Sequence, residues 1–273
     1  MQQLPHHDAG QQFRNAVTAM DLSPATNLVP ASQRLLGVRF DALDLSGALS
    51  TLAARDPAAP FAHVVTPNAD HWIRLQDRPE LRPLYDTAWL SLCDSRILRL
   101  LAARRGVRLE LAPGSDLTQQ LFDRVIRPDT PVTVIGGTDT VVEALRARYA
   151  LARLAHHNPP MGFIRDPAAV AAAVGFVRAH PARFVFLCVG SPQQEKLAAA
   201  IVAAGGATGI GLCVGAAVEF VAGVKQRAPG WVQRAHLEWL HRLGSEPGRL
   251  WRRYLLEAPR LLRLMARVPP GGG

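Results

Sequence analysis

A chain of 273 residues, 48% of them hydrophobic, can bury a full core as one large α/β domain or as a domain with an appendage. No apolar run reaches the roughly 20 residues that cross a bilayer, and no signal-peptide pattern is present, which argues against a membrane-spanning or exported chain. The formal net charge of +9 admits nucleic acid, an anionic membrane surface or phosphorylated substrates as partners.

Cys93, Cys188 and Cys213 are odd in number and each lies in an apolar run, so they read as buried thiols in a reducing cytoplasm, not as a disulfide framework. No Cys/His spacing matches a zinc site. The basic charge concentrates at the end of the chain. After residue 224, Lys225 and nine arginines, Arg227 and Arg234 among them, face only Glu238, Glu246 and Glu257.

Residues 1–30 lack periodicity and read as a flexible leader. Leu35 to Phe40 is expected as a first strand, and Ala42 to Arg55 as a helix with Leu43, Leu45, Leu49 and Leu52 inside. Phe61 to Val65 reads as a strand running into Thr66-Pro67-Asn68-Ala69-Asp70-His71-Trp72, where a helix begins. On that turn Thr66 and Asn68 are candidates to hydrogen-bond a nucleotide or sugar. Asp70 and His71 suggest a catalytic dyad, but neighbours on a helix do not face each other, which favours a capping or surface role.

Trp89 to Cys93 is the next apolar run and ends at Asp94-Ser95-Arg96. A carboxylate at the carboxyl end of a buried strand lies where a parallel sheet presents reactive groups, and there it can deprotonate a hydroxyl nucleophile. It can equally cap a helix from Ile97 to Arg105. Gly114-Ser115-Asp116-Leu117 opens another helix, with Ser115 or Asp116 as cap or with its turn on a phosphate. Pro131 to Thr138 is a strand entering the Gly136-Gly137 turn, followed by a helix from Thr140 to Tyr149. This turn looks nucleotide-binding but lacks the third glycine of the dinucleotide fingerprint.

After Pro159-Pro160, Met161-Gly162-Phe163 reads as a strand end, and Ala168 to Arg178 as a helix. Phe184 to Leu187 is a strand of the buried type, and Gly190 turns it into a helix whose first turn carries Gln193, Gln194 and Glu195. These three either grip a sugar, a uracil or a phosphate, or Ser191-Pro192 simply starts a helix whose dipole Glu195 complements. Gly209 to Val214 is a further buried strand, entering Gly215 to Phe220. Such regular alternation implies an α/β fold, a Rossmann-like, mostly parallel sheet with helices on both faces, over residues 31–224. Residues 225–273 read as a basic helical appendage. In it Leu250, Tyr254, Leu255, Leu261, Leu262 and Met265 share a side, set either against the domain or in an anionic lipid interface.

Several stretches, in order, resemble one family: Thr66-Pro67-Asn68-Ala69-Asp70-His71, the Asp94 turn, Gly114-Ser115-Asp116-Leu117, Gly136-Gly137-Thr138, Gly190 to Glu195, Arg227-Ala228-Pro229-Gly230-Trp231, and Leu237 to Leu243. The ordered set is similar to the WecG/TagA/CpsF family of bacterial glycosyltransferases (glycosyltransferase family 26), from about Leu35 to Arg253. The resemblance implies an inverting enzyme that moves a sugar from a UDP-sugar to a polyprenyl-diphosphate-linked saccharide. It would work as a peripheral protein at the cytoplasmic face of the membrane, in the synthesis of cell-surface polysaccharide. It implies Asp94 as the base, Thr66 and Asn68 near it in the pocket, and Gln193, Gln194 and the neighbouring Glu195 toward the donor. It also implies Arg227 and Arg234 as arginines that the appendage brings over the cleft. No cofactor or metal is expected, in keeping with the lack of an Asp-x-Asp pair. Three positions depart from the family pattern: Ser95 replaces a usual Gly, Ala103 stands where an arginine is common, and Glu219-Phe220 replaces Asp-Phe. They border the pocket and bear on the donor sugar more than on the reaction class.

Rival readings find less support. Nucleic-acid binding is not expected, because aromatic residues make up only 6% and none interleave with the arginines as a stacking platform. A nicotinamide enzyme would need the missing glycine and an acid at the end of the next strand. A non-catalytic membrane scaffold would leave the polar strand ends unexplained. The oligomeric state stays open, a homo-oligomer included.

Overall fold

The computed structural model of the protein describes residues 31–225 and 259–269. The leader, Arg227, Arg234 and most of the appendage lie outside the described residues.

Where the sequence suggests one strand at Leu35–Phe40, the chain makes a hairpin. Strands β1 (Ser32–Leu35) and β2 (Val38–Asp41) pair antiparallel across a two-residue turn in which Leu36 and Gly37 have φ of 47° and 84°. Positive φ at both central positions matches the right-handed twist of the flanking strands. The hairpin forms a sheet of its own. It is tied to the main sheet by the Asp41 carboxylate, which accepts from Ser91 N at 2.8 Å.

The main sheet contains β3 (Ala62–Val65), β4 (Leu90–Ser91), β5 (Val132–Ile135), β6 (Leu154–His157), β7 (Phe184–Leu187) and β8 (Ile210–Cys213), all parallel, in the order β4-β3-β8-β7-β5-β6. Strands β5, β7 and β8 are buried at every position. Covered on both faces, such strands read as unbroken apolar runs. Strand β6 is at the edge, with only Leu154 buried, and Leu-Ala-His-His carries no strand pattern. The strand expected near Met161 is instead a turn into a 3₁₀ helix, Phe163–Arg165, and Met161 is wholly exposed.

Helices α1 (Leu45–Ala54), α2 (Ala69–Asp77), α3 (Pro83–Asp86), α4 (Arg96–Ala103), α5 (Gly114–Arg124), α6 (Asp139–Tyr149), α7 (Pro167–Ala179), α8 (Gln193–Ala204) and α9 (Ala217–Val221) connect the strands. Two cores result. On one face Trp72 and Ile73 of α2, Val177 of α7 and Leu197 and Ile201 of α8 pack with Val65, Val185, Leu187 and Cys213. On the other, Leu52 of α1, Leu121 and Phe122 of α5, Leu145 of α6 and Val218 of α9 pack with Val64, Phe184, Phe186 and Leu212. Successive strand residues thus serve opposite layers, as the two-residue strand period requires.

Residues 259–265 form a helical segment whose Leu261 and Met265, with the following Val268, are buried in the first core, and Arg260 pairs with Asp77 of α2. Of the apolar stripe read in the appendage, Leu261 and Met265 pack on the domain, whereas Leu262 is 58% exposed and does not share their side.

Candidate active site

Strands β3 and β8 are neighbours, yet the chain leaves β3 for α2 on one face and β8 for α9 on the other. Divergent connections of this kind open a crevice at the carboxyl edge of an open sheet, where α/β proteins bind ligands.

Thr66 lies at its base. The hydroxyl, on a buried side chain, donates to the Cys213 carbonyl at 3.2 Å and joins the ends of β3 and β8. Asn68 is the N-cap of α2, its Oδ1 accepting from Asp70 N at 3.0 Å and His71 N at 3.2 Å. The cap expected of Asp70 therefore comes from Asn68. The His71 ring meets Tyr85 edge-on, its Nδ1 is sealed without a partner, and burial followed by the charge of Arg74 lowers its pKa to about 3. It stays neutral at physiological pH.

Asp94 follows the β4 path and is half-buried. Its backbone N–H donates to the Pro67 carbonyl at 3.1 Å, which fastens it to the turn that carries Thr66 and Asn68. Sequence allowed Asp94 to be either a base or a cap, and the cap proves to be Ser95, whose Oγ accepts from Leu98 N at 3.2 Å. Asp94 lies at the sheet edge directly before this cap.

Helix α5 starts at Gly114 after Pro113, with no side-chain cap, so neither Ser115 nor Asp116 has the expected capping role. The N-cap position is held by Pro113, whose side chain has no acceptor, and Gly114 beside it is a point of close approach. A Cβ on Gly114 would stand 2.8 Å from Thr66 Oγ1 and 3.3 Å from Thr66 Cβ. Only glycine lets the helix start come this near. Gly114→Ala should displace the Thr66 hydroxyl and cut turnover at least about tenfold, for a stability loss of about 1–2 kcal/mol. Steady-state kinetics beside a denaturant titration would show it, and unchanged turnover would remove Thr66 from the site.

Gln193 is half-buried at the start of α8, but Gln194 and Glu195 are only 2% and 1% exposed, which corrects the expectation that both reach a donor directly. Gln194 spans the crevice floor from inside: its Oε1 accepts from Gly215 N at 3.0 Å and its Nε2 donates to Glu195 Oε1 at 3.0 Å. The physical reason is helical phase. Gln194 precedes Leu197, Ala198 and Ile201 by three, four and seven positions, so it shares their buried face. Nearby, Arg74 donates to Ser191 Oγ at 2.9 Å, and Tyr85 Oη lies 3.4 Å from the same oxygen. Arg74 and Tyr85 were not singled out from sequence, where nothing in α2 or α3 marks them, and Ser191 was read there only as part of a helix start and of the Gly190 to Glu195 stretch.

Burial is the largest influence on the Glu195 carboxyl and raises its pKa above the ordinary 4.5, with the Gln194 hydrogen bond opposing. Its Oε2 has no partner. A raised folded-state pKa means that the folded protein binds this proton more tightly than the unfolded chain. Stability is then undiminished below about pH 4.5 and declines as pH climbs through the raised value. Glu195→Gln should therefore gain thermal stability at neutral pH and converge with the wild type in acid. Parallel melting profiles across pH would contradict this.

Gly136 and Gly137 lie further along the edge, on the far side of β7. A Cβ on Gly136 would meet Cys188 and Val189 at 2.8–3.0 Å, and its carbonyl accepts from His156 Nε2 at 3.1 Å. The structure thus gathers Thr66, Asn68, Asp94, the start of α5 and the Gln194–Gly215 link at one crevice. The Gly136-Gly137 turn flanks it, and Arg227 and Arg234 are outside the described residues.

An open parallel sheet with a switch-point crevice and a carboxylate on its lip defines an α/β enzyme that acts on a bound ligand at its sheet edge. The family model described as the glycosyl transferase WecG/TagA/CpsF family matches residues 33–269. The chain belongs to that family and is a glycosyltransferase, with a sugar donor and an acceptor as its substrates. Among the described residues no helix is long and apolar enough to cross a membrane.

Proposed function

We propose that the protein transfers a hexose or N-acetylhexosamine-type sugar from a UDP-sugar to a polyprenyl-diphosphate-linked saccharide at the inner face of the cell membrane, in the assembly of a cell-surface polysaccharide. The observation that carries the reading is the bond from Asp94 N to the Pro67 carbonyl at 3.1 Å, which couples the carboxylate to the Thr66–Asn68 turn at the switch-point crevice.

Asp94 takes the proton from the acceptor hydroxyl as that oxygen attacks the anomeric carbon. A bond forms from the acceptor oxygen to the anomeric carbon while the bond from that carbon to the UDP oxygen breaks. Attack from the opposite side inverts the centre. UDP leaves with growing negative charge, which the N–H groups at the start of α5 and arginines of the appendage, Arg227 and Arg234, meet on closure. Gln194 and Glu195 act from below by setting the β8–α9 turn. A nicotinamide reading fits less well, because β6, the strand after the Gly136-Gly137 turn, ends in His156-His157 where an acid would hold a ribose.

The test is UDP release from a panel of UDP-sugars, with and without a short-chain polyprenyl-diphosphate-linked sugar. Release that needs one donor and the acceptor together is the expected result. No acceptor-dependent release with any donor, even with anionic vesicles and varied acceptors, would reject the reading.

A further inference from the structure

Helix α4 presents an uncovered face beside the candidate site. Its buried positions are Leu98 and Ala102. At 3.6 residues per turn, Leu100 points away from that pair, with Arg96 and Ala103 on one flank and Ile97 and Arg104 on the other. Ile97 is 50% exposed and Leu100 55%. Arg96, Arg99 and Arg104 are exposed around them, and Arg108 is exposed just beyond the helix. A lone surface leucine needs no explanation. Two aliphatic side chains spaced i, i+3 within a ring of guanidinium groups, on a helix that starts two residues after Asp94, form a composite surface.

We infer that this face of α4 docks on an anionic lipid bilayer. Charge selects the occupant. A twofold contact with a second copy would set the same arginines against each other. A bilayer with anionic headgroups suits both parts of the face: the arginines sit at phosphate level while Ile97 and Leu100 enter the acyl boundary. The purpose of this docking rests on the proposed transferase reading, since a polyprenyl-anchored acceptor presents its diphosphate at headgroup height, beside Asp94. The docking itself needs no turnover.

The experiment is cosedimentation of the full chain with vesicles of phosphatidylcholine alone or mixed with phosphatidylglycerol. The wild type should partition onto the mixed vesicles, not the neutral ones, and come off as salt rises. Ile97→Glu combined with Leu100→Glu should lower the partition coefficient at least about tenfold at an unchanged melting temperature. Arg99→Glu combined with Arg104→Glu should do the same, whereas Arg178→Glu, on the exposed side of α7, should not. Partition equal to wild type for the Ile97/Leu100 variant overturns the inference. If that variant melts early, the arginine pair decides, and undiminished binding there overturns it equally. A variant that splits a dimer while leaving vesicle binding intact assigns the face to a second copy and also overturns it. UDP release with a water-soluble acceptor is read separately, so failure of the transferase reading leaves the vesicle result standing.

Discussion

Asp94→Asn is expected to lower acceptor-dependent turnover by about 10³-fold while leaving UDP-sugar affinity within about twofold. The substitution keeps the shape of the side chain and the backbone bond to Pro67, and removes the negative charge and with it the ability to take a proton. The acceptor hydroxyl would then have to attack while still protonated, with no carboxylate to receive its proton as the new bond forms. Because Ser95 caps α4, no helix cap is lost, and the melting temperature should hold. Single-turnover release of UDP, with donor binding followed by calorimetry, separates the two effects. Near-normal turnover would remove Asp94 as the base, and a parallel loss of donor binding would recast it as a binding residue.

Gly209→Ala is expected to cost about 4 kcal/mol or more, a large part of the roughly 5–15 kcal/mol that holds a domain together. Gly209 has φ of +87°, and a Cβ there would lie 2.0 Å from the Ala182 carbonyl oxygen and 3.0 Å from that of Arg183. Both obstacles are backbone, so no side chain can swing aside, and the left-handed conformation adds about 1–2 kcal/mol. The position matters to the site although it lies at the opposite edge of the sheet. Gly209 O accepts from Ala62 N and Gly209 N donates to Ala59 O, both at 3.2 Å, which starts the β3–β8 register that ends with Val65 beside Cys213. That register brings Thr66 to the Cys213 carbonyl. A fall in denaturant midpoint at constant slope is the expected result, and a loss under about 1 kcal/mol would show that β7 and β8 can move apart there.

The parts of this protein that could be read in its sequence are those where burial acts on both sides. Phe184–Leu187 and Ile210–Cys213 are apolar at nearly every position because helices cover both faces, and their strand assignment follows from that alone. The position of Asp94 at the sheet edge was legible because it directly follows such a run. Strand β6 was not, since an edge strand ending in two histidines carries neither an apolar run nor alternation. The Leu36-Gly37 turn was hidden because a leucine at positive φ is rare and lacks the usual hairpin signal.

Orientation was harder to read than location. Gln194 and Glu195 were read either as reaching a ligand or as part of a simple helix start, although the spacing of Gln194 to Leu197, Ala198 and Ile201 carried the inward signal. Asp94 and Ser95 are both good cap residues, and only the folded chain separates them. Arg74 and Tyr85 converge on Ser191 from 117 and 106 residues away, a meeting that no local pattern encodes.

The most direct test of the central claim is hydrogen exchange of the full chain with and without UDP. The expected result is slowed exchange at positions 66–71, 93–96, 114–118 and 213–217, the turns that line the crevice between β3 and β8. Slowing confined to positions 136–141 and 155–158, with the crevice turns unchanged, would place the nucleotide on the glycine turn beyond β7 and contradict the account.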